Sequence, residues 1–519
     1  MVEGRRSGGR SVSTFRQEVH ALVQGMEILS NSTAPTRQVS LFRPMKTALF
    51  LLLALLAVTL TASGASSARL RVSEDRRTLQ YADGRPFLWL GDTAWELFHR
   101  LDREEAEHYL THRARHGYSV IQAVVLAEND GLRTPNAYGD VPLIDLSPDQ
   151  PNERYFAHVD HIVERANALG LFVGVLPTWG DKVPNAHPAA GPIIFNPDNA
   201  FRYGEFLGRR YRDRSVIWIL GGDRDVDSLE VLEIWRAMAR GLRQGDGGAH
   251  LITYHPRGES MSASFLHQEP WLDLNLFQSG HARRFNAVFR FAQRLGQFQP
   301  RKPFVDAEPA YEDIPVAFWE FLDWTRRPPV PPHVLDEDGL IRDRSHFQKG
   351  FFEAHDVRVH AYWNLLSGAA GYTYGNNAIW QMCRPGLPPA IPCLTDWRNA
   401  LDRPGSRQMK WIRQLSDRFP PGTFGPDQSL IYGRNSEGAD YVAAAVARDN
   451  SFALAYSPRG AAFDVVVDRL AGADVQVEWF DPREGTLTVL DGTPLQGIQR
   501  LTPPTQGDGQ DWVLILTAR

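Results

Sequence analysis

The 519-residue chain reads as a (β/α)8 barrel followed by a small all-β sandwich. Three observations predict this. Eight short apolar runs, near residues 88, 120, 172, 216, 251, 275, 304 and 371, alternate with amphipathic helical stretches. Most of these runs are apolar on both faces, as parallel strands buried on both sides are. After about Phe419 the helical stretches stop, and short strands separated by turn residues take over. A doubly wound open sheet is the alternative, but no G-x-G-x-x-G opens a helix after the first strand.

Two segments precede the barrel. Residues 1–44 are polar, Arg/Ser-rich and unpatterned, and are expected either to be disordered or to precede the true start. Residues 45–68, "MKTALFLLLALLAVTLTASGASSA", have Arg43 and Lys46 near their start, an apolar stretch Ala48–Leu60, and then small residues. That is the layout of a secretory signal peptide. The apolar stretch is short for a membrane span. The expectation is a secreted or periplasmic protein with no stable membrane insertion after cleavage; anchoring by that segment is the alternative.

The barrel is expected over 69–419. Two short strands with an Asp83-Gly84 turn lead into "FLWLGD". A helix from about Arg103 to His116 carries the capping box Asp102/Glu105. "SVIQAVVL" precedes a helix over Glu153–Leu169 with Phe156, Val159, Ile162, Val163, Ala166 and Leu169 on one face. "LFVGVLP" precedes a helix near 199–212. "SVIWIL" precedes one from about Ser228 with Leu229, Leu232, Trp235, Met238 and Leu242 together. "LITY", "LNLFQ" and "PFVDA" follow, then a long helix near 346–366 and the last strand, "AGYTYG". Over 420–519, "LIYGR", "YVAAAVAR", "FALAYSP", "FDVVVD", "VQVEWFDP" and "WVLILTAR" read as the strands of an accessory β-sandwich.

Composition narrows the function. Net charge is −5, from 56 basic and 61 acidic residues, so no basic face invites nucleic acid. The two cysteines, Cys383 and Cys393 in "CRPGLPPAIPC", could close a Pro-rich loop in an exported protein or stay as thiols. Their spacing is poor for zinc, and no metal or cofactor is expected. A monomer is the default.

In a barrel the residues after each strand gather at one rim. Here they are Asp92 and Trp95; Glu128, Asn129 and Asp130, with Gln122 inside the second strand; Trp179 and Asp181; Asp223 and Arg224; His255; Gln278 and His281; Glu308, Tyr311 and Glu312; and Tyr374, Asn376, Asn377 and Trp380. Aromatic faces suit the C–H faces of a sugar, and carboxylates and amides suit its hydroxyls. Metalloprotease and serine-hydrolase signatures are absent. Glycoside cleavage needs two carboxyl groups across one bond, one protonated and one ionised. Strands four and seven lie nearly opposite in an eight-stranded ring, and Asp223 and Glu308 end them. The Gly221-Gly222 pair would let the chain turn and bring Asp223 to the cleft. Asp225, Asp227, Asp306 and Glu312 are the fallback carboxylates, with Asp306 expected to point the same way as Glu308. Asp92, Trp95, Gln122, Trp179, Asp181, His255, Gln278, Tyr311, Tyr374 and Asn376 are the candidate substrate contacts.

The segments "GRPFLWLGDTAWELF", "WILGGDRD", "AEPAYE", "AYWNLLSGAAGYTYGNNAIWQM" and "LDRPGSRQMKWI" resemble the apiosidase-like glycoside hydrolases, family 140 and its relatives, over about Arg71 to Phe419. The last hundred residues look like the small β-domain often attached to them and labelled collagen-binding. The resemblance implies an Asp acid/base at Asp223, a Glu nucleophile at Glu308, a retaining mechanism, and a pectic, apiose-bearing glycan as substrate. The Pro-rich segment 326–344 departs from the family pattern and bears on apiose specificity. The competing readings are a non-catalytic carbohydrate-binding protein, an adhesion protein acting through the β-domain, and a metal-dependent hydrolase using His255 and His281.

Overall fold

The computed structural model describes residues 68–184, 191–472, 474–490 and 495–519. The expected leader, and all but the last residue of the expected signal segment, lie outside the described residues. Among the described residues no helix is long and apolar enough to cross a membrane.

The eight expected strands are β1 (Trp89–Thr93), β2 (Val120–Leu126), β3 (Phe172–Thr178), β4 (Val216–Gly221), β5 (Ile252–His255), β6 (Asn275–Gln278), β7 (Phe304–Asp306) and β8 (Gly371–Tyr374). They run parallel in the order β5-β4-β3-β2-β1-β8-β7-β6. Asp273 closes the ring between β5 and β6. Its N–H donates to the Ile252 carbonyl at 2.9 Å, and its carboxylate accepts from Ile252 N–H at 2.7 Å. A short strand, Ser260–Met261, pairs antiparallel to β6 beside this seam.

Side chains alternate along each strand. Val120, Val124, Leu176, Ile217, Ile219, Leu276 and Val305 fill the barrel interior. Ile121, Ala123, Val125, Val173, Val175, Trp218 and Leu220 face the helices. Burial of both sets is why the strands read as unbroken apolar runs, and each such side chain contributes about 1.5–3 kcal/mol. A three-stranded sheet, Leu70–Val72 with Leu79–Tyr81 and Pro86–Phe87, packs Leu70, Leu79 and Phe87 into the same interior cluster and covers the amino-terminal end.

The outer helices are α1 (Arg103–Arg115), α2 (Glu153–Ala168), α3 (Pro197–Tyr211), α4 (Leu229–Asp246), α5 (Val288–Leu295), α6 (Ala354–Leu366) and α7 (Pro404–Arg418). After β5 the helix shrinks to one turn, Ala263–Leu266. The Asp102/Glu105 capping box starts α1 as expected. Asn152 caps α2 and Ser228 caps α4. Helices α3 and α4 meet backbone to backbone. A Cβ at Gly204 or Gly208 would lie 2.5 Å from a carbonyl of α4, and one at Gly241 would lie 2.1 Å from the Phe201 carbonyl.

Two helical expectations need correction. Leu229 is 78% exposed, because it is the first residue of α4 and lies off the buried stripe. The long helix near 346–366 begins only at Ala354; Gly350 at φ +73° ends the preceding turn, and Glu353 and Asp356 form the capping box.

The C-terminal β-domain has β9 (Phe424–Pro426), β10 (Ala443–Ala447), β11 (Phe452–Ser457), β12 (Phe463–Val466), β13 (Val475–Phe480), β14 (Leu487–Leu490), β15 (Ile498–Leu501) and β16 (Trp512–Ala518). One sheet has the order β9-β10-β11-β16-β13-β14; β12 and β15 pair as a separate ribbon. Ala444, Val446, Ala455, Val477, Trp479 and Leu514 pack with the ribbon's Phe463, Val465 and Leu501. The opposite face packs on α6: Tyr456 stacks on Tyr362 at 5.0 Å, and Trp363 Nε1 donates to the Tyr441 carbonyl. Arg358 of α6 binds both oxygens of Asp511, at 2.9 and 2.7 Å. Cys383 and Cys393 are buried thiols, not bonded to each other.

Candidate active site

The turn after β4 is built for one purpose. Gly221, Gly222 and Asp223 have φ of +84°, +122° and +53°, three consecutive left-handed residues. At Gly221 a Cβ would lie 2.4 Å from the His255 carbonyl; at Gly222 it would lie 2.8 Å from the Gly180 nitrogen and the Trp179 ring. Both positions therefore require glycine for conformation and for space. Asp223 adopts the same region at a cost of roughly 1–2 kcal/mol. Strain of this kind is held where a side chain must be aimed. The Asp223 side chain remains 41% accessible, with Arg224 Nη1 3.7 Å from its Oδ2.

Glu308, two residues past β7, is opposite in character. Its carboxylate is nearly buried. His281 Nε2 donates to Oε1 at 3.2 Å, and His255 Nε2 lies 3.2 Å from Oε2. The Asp223 N–H donates to His255 Nδ1 at 3.4 Å, which leaves the His255 proton on the nitrogen facing Glu308. Oε2 has no well-aligned hydrogen bond, so one oxygen of a held carboxylate stays free.

The two environments separate the acidities. Burial alone would raise Glu308, but the contacts with His255 and His281 overrule it and hold the carboxyl well below its usual range. Burial and then the charge of Glu308 raise Asp223, and His255 and Arg224 offset only part of that. Below about pH 6 one carboxyl group is ionised while the other still holds its proton, the condition that acid-assisted glycoside cleavage requires.

Aromatic rings wall the pair. Trp95 lies 5.3 Å from Trp179 and 5.4 Å edge-on from His255. Tyr311 packs 4.5 Å from His281. Of the candidate contacts, Trp95, Trp179, His255 and Tyr311 are thus brought around Asp223 and Glu308. Gln278 ends β6 with its Oε1 unpartnered. Asp181 is paired with Lys182 at 2.6 Å, and burial raises it. Gln122 lies inside the barrel and donates to the Ala307 carbonyl at 2.9 Å, just before Glu308.

Other candidates point elsewhere. Asp92 faces the helices, where it accepts from Tyr109 Oη at 2.5 Å and from Arg113 Nε at 2.6 Å. Tyr374 donates to Glu312 at 2.6 Å. Glu312 also accepts from Gly405 N–H at 2.9 Å and Ser406 N–H at 3.2 Å, in the first turn of α7. Asn376 is used by Asp313 and the Ala378 N–H. Asp306 bonds Ser279 and Asn364 of α6 instead of sharing the direction of Glu308. The sequence reading placed His281 on the rim but gave it only a metal-binding role; its position after β6 was the available signal. It also did not single out Glu128, whose acidity is suppressed by burial and then by Glu96, Asp181, Asp223 and Glu308. A cavity of about 500 Å³ lies at the other end of the barrel, between Leu70, Arg243, His267 and Lys302, away from this chemistry.

Comparison with known proteins identifies the family and the fold. The sequence model of the apiosidase-like catalytic domain matches residues 73–421. That of the "putative collagen-binding domain of a collagenase" matches 426–517. A solved glycoside hydrolase superposes with a TM-score of 0.74 at 33% identity, covering 87% of this chain and 97% of its own. A protein described as a glycoside hydrolase of family 5, from Bacteroides vulgatus ATCC 8482, gives a TM-score of 0.75 at 31% identity, covering 87% and 93%. None of the curated proteins compared matches this chain. A barrel with two acidities set apart at its carboxyl rim, matched over most of its length by that catalytic domain, is a glycoside hydrolase, and the chain belongs to the apiosidase-like family.

Proposed function

We propose that the protein is an exported, retaining glycosidase that removes a sugar from a pectic, apiose-bearing glycan. The observation that carries the mechanism is the contrast between Glu308, contacted by two histidine nitrogens at 3.2 Å, and Asp223, aimed into the cleft by a left-handed backbone and with its pKa pushed up to about 6. Glu308 Oε2 attacks the anomeric carbon while Asp223 gives its proton to the leaving oxygen, forming a covalent glycosyl-enzyme. Asp223, now a base, takes a proton from water, which attacks the same carbon and restores Glu308. Trp95, Trp179 and Tyr311 would present faces to the sugar and exclude water from the cleft. The apiose assignment rests on the family's name, the pectic one on the resemblance of the sequence motifs, and export on the segment 45–68.

The test is a screen of residues 69–519 on aryl glycosides and pectic oligosaccharides, including apiose-containing ones. Asp223→Asn and Glu308→Gln run alongside. Release by the wild type that both substitutions abolish supports the assignment. Release that survives in Glu308→Gln would move the nucleophile to another carboxylate.

A further inference from the structure

The chain has 14 tryptophans, and only Trp319 and Trp324 are among its exposed large hydrophobics, at 46% and 49%. Both sit on the loop that follows β7, the strand that delivers Glu308. Exposing two such rings on one loop forfeits burial that the other tryptophans enjoy. We propose that Trp319 and Trp324 form a saccharide platform that binds a ring of the substrate beyond the bond being cleaved, so that the enzyme prefers an extended oligosaccharide to a simple glycoside. This rests on the glycosidase reading above.

Continuity with the reacting centre supports it. Phe318 packs 6.0 Å from the His281 ring, which binds Glu308. The same Phe318 lies 5.1 Å from Trp319 and 6.4 Å from Trp324, so the aromatic surface runs unbroken from the nucleophile's support outward. Phe318 also packs against the interior cluster that contains Trp95, Trp179 and Tyr311.

The loop is held in place. Ala317 N–H donates to the His281 carbonyl at 2.8 Å. Val316 N–H donates to Gly350, Phe352 N–H to Ile314, and Asp313 N–H to Phe352, which ties both ends of the excursion together. Ala317 takes φ of +51°, a strained value for alanine, in the residue before Phe318. Fixed, exposed indole faces suit a sugar, whose C–H face stacks on them while its hydroxyls stay in water. A protein partner would bury these rings among apolar neighbours, whereas here they are flanked in sequence by Glu320, which is ion-paired with Lys349, and by Asp323, which is bonded to Thr325.

The test compares two substrates, p-nitrophenyl β-apiofuranoside and an apiose-bearing pectic oligosaccharide released by endo-polygalacturonase, which leaves the acid-labile apiofuranosidic bonds intact. Trp319→Ala, Trp324→Ala and the double variant are assayed beside Tyr432→Ala, an exposed aromatic of the β-domain at 55% exposure, as control. The expected result is a loss of roughly 10-fold in kcat/KM for the oligosaccharide relative to the aryl glycoside, carried by KM and restored by Trp319→Phe. Quenching of tryptophan fluorescence by the oligosaccharide in Glu308→Gln should also fall in the double variant to the part that Trp95 and Trp179 in the cleft supply. An unchanged substrate ratio and unchanged quenching, with both substrates turned over, would overturn the platform alone. A wild type that turns over neither substrate would overturn the glycosidase reading and the platform with it.

Discussion

The carboxylates at the carboxyl ends of the strands fall into two regions, one facing the cleft and one facing the helices. Glu308 and Glu312 lie four residues apart on one loop and differ completely. Glu308 turns inward to two histidine nitrogens and leaves Oε2 without a hydrogen bond. Glu312 turns outward, where Tyr374 and two N–H groups at the start of α7 use both of its oxygens. Asp223 and Asp92 differ in access instead: the first is strained and accessible, whereas the second is fully buried, with Oδ2 held by Arg113 and Tyr109 and Oδ1 shut away from the cleft. A carboxylate whose acceptor sites are filled by its own fold holds structure together. One that the fold presses into place and leaves short of partners is available for chemistry.

Substitutions can break this contrast. The largest effect is expected for Glu308→Gln, a loss of kcat on the order of 10⁴-fold or more with an unchanged melting curve. Asp223→Asn should cost about 10²–10⁴-fold, and least for substrates with acidic leaving groups that need no proton. On the helix side the signature reverses. Arg113→Met leaves Asp92 as a buried carboxylate without its ion pair and should cost about 3–5 kcal/mol in chemical denaturation. Glu312→Gln should cost about 1–3 kcal/mol while active-site titration of the folded fraction stays normal.

The pH profile sharpens the same point with a smaller effect. In the proposed mechanism Asp223 must hold its proton, and its pKa is raised to about 6. Glu308 must be ionised and is held low. Hence kcat/KM should fall above about pH 6, and an acid limb should appear only at much lower pH. His281→Gln removes one of the two contacts that keep Glu308 ionised. Its acid limb should move up in pH, and the alkaline limb should move up by less, because His281 bonds Glu308 but only weakly lowers Asp223; a general loss of stability would not give this pattern.

The barrel was legible because its strands bury both faces, and few architectures besides a parallel barrel or open sheet combine unbroken apolar runs with intervening helical periodicity. The positions of Asp223 and Glu308 were legible because strand ends gather at one rim. The direction of a side chain was not, since it turns on single-residue parity at a strand end. Asp92 shares the outward parity of Leu90, and Tyr374 that of Tyr372, so both face helices although they sit at the rim. Asp306 and Glu308 alternate in sequence, yet β7 ends between them and the parity is lost. Strands β14 and β15 were not legible because each is only four residues long and largely exposed, so neither shows a buried face. Helix α6 was legible as a helix, but the burial of its polar residues Asp356, Arg358, His360 and Asn364 was not, because the β-domain covers the side that solvent would otherwise take.

The most direct measurement is of the stereochemistry and rescue of the reaction with azide present, using an activated aryl glycoside and NMR of the product. Asp223→Ala should form a glycosyl azide of retained configuration, because Glu308 still makes the covalent intermediate and azide replaces the water that Asp223 would have activated. Glu308→Ala should give only the inverted azide, by direct attack from the vacated side. A retained product from Glu308→Ala, or inversion by the wild type, would contradict the assignment of Glu308 as nucleophile.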